Sequence, residues 1–273
     1  MLKQRVLTAA ILIFVVVVCV VVSSGPVFSL LLGISIGIAS WEWAGLAGYR
    51  KFPQKAVYLV LVMALLLWLY YLRNTPWIYV IVIFGVVWWC FAWIMVISYQ
   101  KGRELIPSNQ ILKAMIGCIV LVPAWSGLVI LHAAVTAPQQ VLLLFVLIWV
   151  ADSAAYFIGS RWGKRRLATR ISPAKSWEGV VGGIVASMLP VLGYVILREM
   201  TGIDIIWLFA LCLITVGFSV LGDLVESMFK RNADMKDSGT LLPGHGGLLD
   251  RIDSLTSATP VFVTGMWLLG GRL

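Results

Sequence analysis

Six carboxylates lie inside or at the edge of long apolar stretches: Glu42, Asp152, Asp223, Glu226, Asp250 and Asp253. A charge in hydrocarbon costs roughly 2.5–3.5 kcal/mol even on lenient insertion scales, so each needs a reason to be there. Asp223, Glu226, Ser227 and Lys230 follow i, i+3, i+4, i+7 spacing and therefore share one helix face. Asp250, Asp253, Ser254 and Ser257 repeat that spacing in the next apolar stretch, so two acidic faces begin at the same depth. Magnesium takes one or two protein carboxylates and completes its shell with phosphate oxygens, which suits such a pair of faces. The competing reading makes the same acids structural ion pairs for Lys230 and Arg251. The intervening segment tips the balance: it runs Lys230-Arg231, Lys236-Asp237-Ser238-Gly239, Pro243-Gly244-His245-Gly246-Gly247, Asp250-Arg251. Glycines let backbone N–H groups approach an anion and the basic side chains supply charge, a composition suited to phosphate. No G-x-x-x-x-G-K-[ST] run occurs, so the segment is not a Walker-type loop.

The elements that must position these residues are membrane helices. Of 273 residues, 61% are hydrophobic and 12% charged, and the mean hydropathy is +0.98, more apolar surface than a water-soluble body can hide. Spanning the hydrocarbon takes about 20 apolar residues. The expected fold is all-α, a polytopic membrane protein with about nine transmembrane helices over residues 6–22, 27–47, 56–72, 77–98, 111–134, 141–159, 177–197, 205–229 and 252–269. The last is the least apolar, so its first turns are expected to face protein or water. Eighteen of the twenty-one Lys and Arg residues fall at the N-terminus and in alternate loops, against Arg73, Arg198 and Arg272 on the other side. Positive loops stay inside, which puts the N-terminus and the long loops in the cytoplasm and the C-terminus in the periplasm of a bacterial inner membrane. The first stretch also has the makings of a secretory signal, with Lys3 and Arg5, an apolar run and Ser23-Ser24-Gly25, but reads as a retained span. Residues 1–110 are expected to form a structural, lipid-facing part. Residues 111–273 form the catalytic part, with cytoplasmic loops at 160–176 and 230–251.

Cys19, Cys90, Cys118 and Cys212 are dispersed in apolar runs, which excludes a disulfide framework, and with only His132 and His245 there is no histidine cage for a metal. Oxygen ligands are what remain.

The stretch from Ser227 through Lys230-Arg231, Lys236-Asp237-Ser-Gly239 and Pro243-Gly-His245-Gly246-Gly247 to Asp250-Arg251-Ile-Asp253 resembles the signature of the phosphatidate cytidylyltransferase family over 27 residues. Three upstream segments keep the family's order: Trp149-Val-Ala-Asp152-Ser-Ala-Ala-Tyr156-Phe-Ile-Gly159, Ser172-Pro173-Ala-Lys175-Ser176-Trp-Glu178-Gly179 and Leu221-Gly222-Asp223-Leu-Val-Glu226-Ser227. Ser176 stands where many relatives have Thr, and the hydroxyl is kept. The resemblance implies synthesis of CDP-diacylglycerol from CTP and phosphatidic acid in the lipid bilayer, with diphosphate released and no covalent enzyme intermediate. It implies Asp223 and Asp250 as metal ligands, with Asp152, Glu226 and Asp253 as further ligands or their supports. Magnesium is the implied ion, with manganese as a substitute and a monovalent cation as a further occupant. Lys175, Lys230, Arg231, Lys236 and Arg251 would hold phosphates, Ser176 and Ser227 would donate hydroxyl hydrogens to substrate, and Gly239, Gly246 and Gly247 would bind substrate through their backbone. His245 either touches substrate or pins the glycine turn. A homodimer is the assembly allowed for, and no nucleic-acid partner is expected.

Glu42, in Trp41-Glu42-Trp43, reads as an interface anchor or a buried hydrogen bond rather than a catalytic group. Lys164-Arg165-Arg166 reads as an orientation signal that also meets anionic headgroups. Two other functions share some of these features. A CTP-dependent lipid kinase of the dolichol-kinase kind would release CDP instead of diphosphate. An ion-coupled transporter would place its carboxylates near the midplane between inverted repeats, and no repeat is present.

Overall fold

Prolines and small polar residues mark where the helices begin. Pro26 and Pro53 sit in first turns, where a missing N–H leaves no bond unmade. Asn109 accepts from the N–H groups of Ile111 (2.7 Å) and Leu112 (3.4 Å), and Ser176 accepts from Gly179 N–H at 3.2 Å. The computed structural model describes residues 2–134, 137–241 and 246–269, with residues 2–9 as backbone alone. Among them are nine helices: α1 (Leu2–Val22), α2 (Gly25–Leu46), α3 (Phe52–Tyr71), α4 (Trp77–Gln100), α5 (Gln110–Ala133), α6 (Ala137–Trp162), α7 (Trp177–Leu197), α8 (Ile203–Asn232) and α9 (Leu249–Leu268). Each sequence-derived stretch falls on one of them, with ends within four residues.

Seven helices, α2 to α8, are long and apolar enough to cross a membrane. Their outward residues are large and apolar, as on α7, where Val181, Val185, Leu189, Leu192 and Ile196 are exposed. This is a multi-pass membrane protein of all-α class. α9 is not among the seven, and its position explains why. It packs against α8, α5, α4, α6 and α2, and every residue from Asp253 to Val263 is buried. A helix enclosed by other helices keeps its polar residues away from lipid, so Ser254, Thr256, Ser257 and Thr259 are tolerated.

Small residues let the helices approach. Gly179 and Gly183 of α7 lie one turn apart, and a Cβ on either would meet the Ala155 or Ala151 carbonyl oxygen of α6. Gly85 of α4 makes room for the Pro123 ring of α5. Gly222 of α8 lies against Asp253 O and Ser257 Oγ of α9.

The loop after α6 contains a hairpin of β1 (Arg166–Ala168) and β2 (Ser172–Ser176), antiparallel with Arg166 opposite Ser176 and Ala168 opposite Ser172. Glu178 in the first turn of α7 accepts from the N–H groups of Lys164 and Arg165, which ties the base of the hairpin to that helix.

Candidate active site

The close α8–α9 contact at Gly222 brings the two acidic faces together. Ser257 donates to Phe218 O at 2.6 Å, tying α9 to α8 one turn before Gly222. From there the carboxylates divide into an open group and a buried one.

The open group surrounds Lys175. Its ammonium lies 2.5 Å from Asp223 Oδ2, and both side chains keep 25–30% of their surface accessible, so they line a space instead of filling a core. Ser227 donates to Asp223 Oδ1 at 3.2 Å, within the turn predicted by their spacing. Asp152 of α6 faces the same group, near enough to feel Asp223, Lys175 and the Ser254 side chain. Asp253 adds a third carboxylate that feels both Asp223 and Asp152.

The buried group is built on Lys230. Its ammonium bridges Glu226 Oε2 (2.5 Å) and Asp250 Oδ1 (2.6 Å), and the three side chains are only 3–10% exposed. Asp250 Oδ2 takes three further bonds, from Ser238 N–H (3.0 Å), the Ser238 hydroxyl (2.9 Å) and Gly247 N–H (2.8 Å). Asp250 thus organises the glycine-rich segment as well as facing Lys230. Gly246 has φ +82°, and a Cβ there would strike the Asp250 carboxylate, so glycine is required twice over. The ion-pair reading of Lys230 and the functional reading of its acids describe the same contacts.

Two residues of this network lay outside the sequence-derived site. Glu42 of α2 is buried, and its carboxylate accepts from Leu248 N–H (3.0 Å), Leu249 N–H (2.7 Å) and the Ser238 hydroxyl (3.3 Å). It caps α9 from another helix, so residues 1–110 are not solely lipid-facing. Ser238, also buried, stands between the Glu42 and Asp250 carboxylates. A carboxylate between two tryptophans was the signal for Glu42; nothing in the local sequence pairs it with residues about 200 positions away.

Of the remaining expected residues, Arg231 is exposed and donates from Nε to Ile171 O at 3.2 Å, joining α8 to the hairpin. Lys236 and Arg251 are exposed beside the same segment, and Gly239 packs against the Glu42 carboxylate. Ser176 has a structural task as well. It is buried and its oxygen caps α7, because β2 runs straight into that helix and leaves its last residue at the N-cap. His245, with Pro243 and Gly244, lies outside the described residues.

Five carboxylates therefore face two ammonium groups, and Glu226 Oε1 is buried without a hydrogen-bond donor among the described residues. An excess of oxygen donors with an unpartnered buried carboxylate oxygen fits hard divalent cations. No three such residues are gathered into a ready-made metal cage among the described residues, and Lys175 and Lys230 hold Asp223 and Asp250.

Residues 3–269 match the model of the cytidylyltransferase family. The chain is similar to the phosphatidate cytidylyltransferase of Pseudomonas aeruginosa, 40% identical over 270 residues that cover 99% of this chain and 98% of the relative. It is 38% identical to that of Haemophilus influenzae over 287 residues, covering 96% of this chain and 97% of the relative. Against that of Bacillus subtilis the identity is 47% over 115 residues, 42% of either chain.

Proposed function

Because the chain belongs to the cytidylyltransferase family, we propose that it is a phosphatidate cytidylyltransferase, joining phosphatidic acid to the CMP part of CTP. The observation that carries this reading is the pair of lysine-centred carboxylate groups beside a glycine-rich segment flanked by Arg231, Lys236 and Arg251. An oxygen of the lipid phosphate attacks the α-phosphorus of CTP. A P–O–P linkage forms as the bond from that phosphorus to the α,β-bridging oxygen breaks, and its electron pair leaves on diphosphate. The attacking oxygen is already anionic, so no general base is needed.

The difficulty is charge. Two unit charges 4 Å apart cost about 4 kcal/mol at an effective dielectric of 20, and several such pairs meet here. Lys175 is the partly open cation, placed to turn from Asp223 to a phosphate oxygen. Lys230, held by two acids, keeps its position and presents a fixed charge. Arg231, Lys236 and Arg251 meet the outer phosphates. Asp152, Asp223, Glu226, Asp250 and Asp253 are the residues that would hold divalent magnesium or manganese and any monovalent ion taken up with it. Such ions supply charge neutralisation and Lewis acidity at the phosphate oxygens.

The reading extends to topology: all nine helices cross a bacterial inner membrane, with the N-terminus and the site in the cytoplasm and the C-terminus in the periplasm. The skewed distribution of Lys and Arg supports it. So does the lipid substrate. Exposing each acyl methylene to water costs about 0.8 kcal/mol, so the phosphate must be reached at the headgroup plane.

Purified protein given phosphatidic acid, magnesium and CTP labelled at either phosphorus decides the matter. Label from the α-phosphate, and none from the γ-phosphate, is expected in the lipid, with diphosphate released. Label from the γ position would make the protein a lipid kinase.

A further inference from the structure

We infer that Glu42, on α2 and far in sequence from the signature residues, is a positioning residue of the catalytic centre. It acts through Ser238 and the start of α9 to set Asp250 and, through Asp250, Lys230. The inference rests on the function proposed above.

Its first ground is where the partners of Glu42 lie. The three donors to its carboxylate, Ser238 Oγ and the N–H groups of Leu248 and Leu249, all belong to the glycine-rich segment and the turn that opens α9. A carboxylate serving only to hold α2 in the bundle would bond to α3 or α5, its main packing partners. That task already has other side chains: Trp43 donates to Lys113 O at 2.9 Å and Trp125 donates to Ser29 O at 3.2 Å.

The second ground is how the segment is built around the carboxylate. A Cβ on Gly239 would strike Glu42 Oε1, and one on Gly247 would strike both Glu42 and Ser238 Oγ. Two glycines of the signature are thus glycines because Glu42 occupies the space. The first N–H groups of a helix lack intrahelical partners and carry partial positive charge, so an acceptor there fixes the position and direction of the first turn. That first turn carries Asp250.

The third ground is the shared hydroxyl. Ser238 Oγ is 2.9 Å from Asp250 Oδ2 and 3.3 Å from Glu42 Oε2. Its one hydrogen is shared between them, closer to Asp250, so the two acids are coupled through a single side chain. Asp250 meets Lys230 through its other oxygen. Glu42, Ser238, Asp250 and Lys230 form one continuous chain from α2 to α8.

The test compares Glu42→Gln and Glu42→Asp with the unchanged protein in lipid nanodiscs, reading kcat, KM and local hydrogen exchange. Glu42→Gln is expected to lower kcat per folded molecule about tenfold or more, with KM for phosphatidic acid changed less than about twofold, since small misplacements of reacting groups act on the transition state. Exchange in a peptide spanning 246–253 should rise about tenfold while α5 stays protected. Glu42→Asp keeps two acceptor oxygens and should recover part of both. Unchanged kcat, a fall in kcat without faster exchange at 246–253, or faster exchange spread evenly over α2, α5 and α9 would each overturn the inference. If Glu42→Gln does not fold, Glu42→Asp decides by the same readings. If the unchanged protein makes no CDP-lipid, the proposed function fails and the exchange comparison alone decides the role of Glu42.

Discussion

Asp223 and Asp250 carry out different tasks although spacing makes them look alike. Asp223 is partly open and shares one ammonium with a water-accessible space, whereas Asp250 is enclosed and accepts four bonds. Replacing Asp223 by Asn removes a charge from the open group and leaves the packing alone. In Asp250→Asn the remaining oxygen can still accept from Ser238 and Gly247, and Lys230 keeps Glu226. Both variants are therefore expected to insert and fold yet lose at least about a hundredfold in turnover, the scale seen when one preorganised electrostatic contact is removed. Turnover and circular dichroism of the purified variants check this. Near-normal turnover in either would remove that residue from the reacting centre.

The hairpin and α7 form the element that delivers Lys175. β2 ends at Ser176, which caps α7, so the position of Lys175 follows the seating of α7 on α6. That seating depends on backbone approach at Gly183, where a Cβ would meet Ala151 O at 2.6 Å. Gly193, further along the same helix, has nothing within 4 Å of a Cβ. Gly183→Ala is expected to lower stability by about 1–3 kcal/mol, as overpacking does, and to reduce turnover with it. Gly193→Ala should be neutral or slightly stabilising, since alanine favours the helix by roughly 0.5–1 kcal/mol. Thermal unfolding of the two in the same detergent provides the comparison. Equal behaviour would mean that α6 and α7 are not locked by that contact.

For the whole molecule, the basic segments and the hairpin gather at one end of a bundle whose central helix, α9, packs against α2, α4, α5, α6 and α8. Single cysteines at Asp237 and Ser172, in a protein freed of Cys19, Cys90, Cys118 and Cys212, are expected to react with an impermeant thiol reagent from the cytoplasmic side alone. Asn74→Cys, exposed between α3 and α4, should react from the periplasmic side alone. CTP with magnesium should slow labelling at position 237. Labelling of positions 237 and 172 from the periplasm would reverse the orientation and the placement of the site.

Hydropathy and spacing alone determined that the protein is an all-α membrane chain, where its helices lie, and that Asp223, Glu226 and Lys230 share a face. These are local properties: each apolar run must bury its own backbone bonds, and a helix repeats every 3.6 residues wherever it sits. The motif also marked Asp250 and the glycines around it. Tertiary structure decided which acid meets which base, since Lys175 and Asp223 are joined across the bundle and no periodicity links a hairpin to α8. It made Ser176 a helix cap by running β2 directly into α7. It also brought Glu42 to the start of α9, because a buried carboxylate takes whichever unpaired donors the packing offers, and those donors appear only once α2 and α9 are side by side.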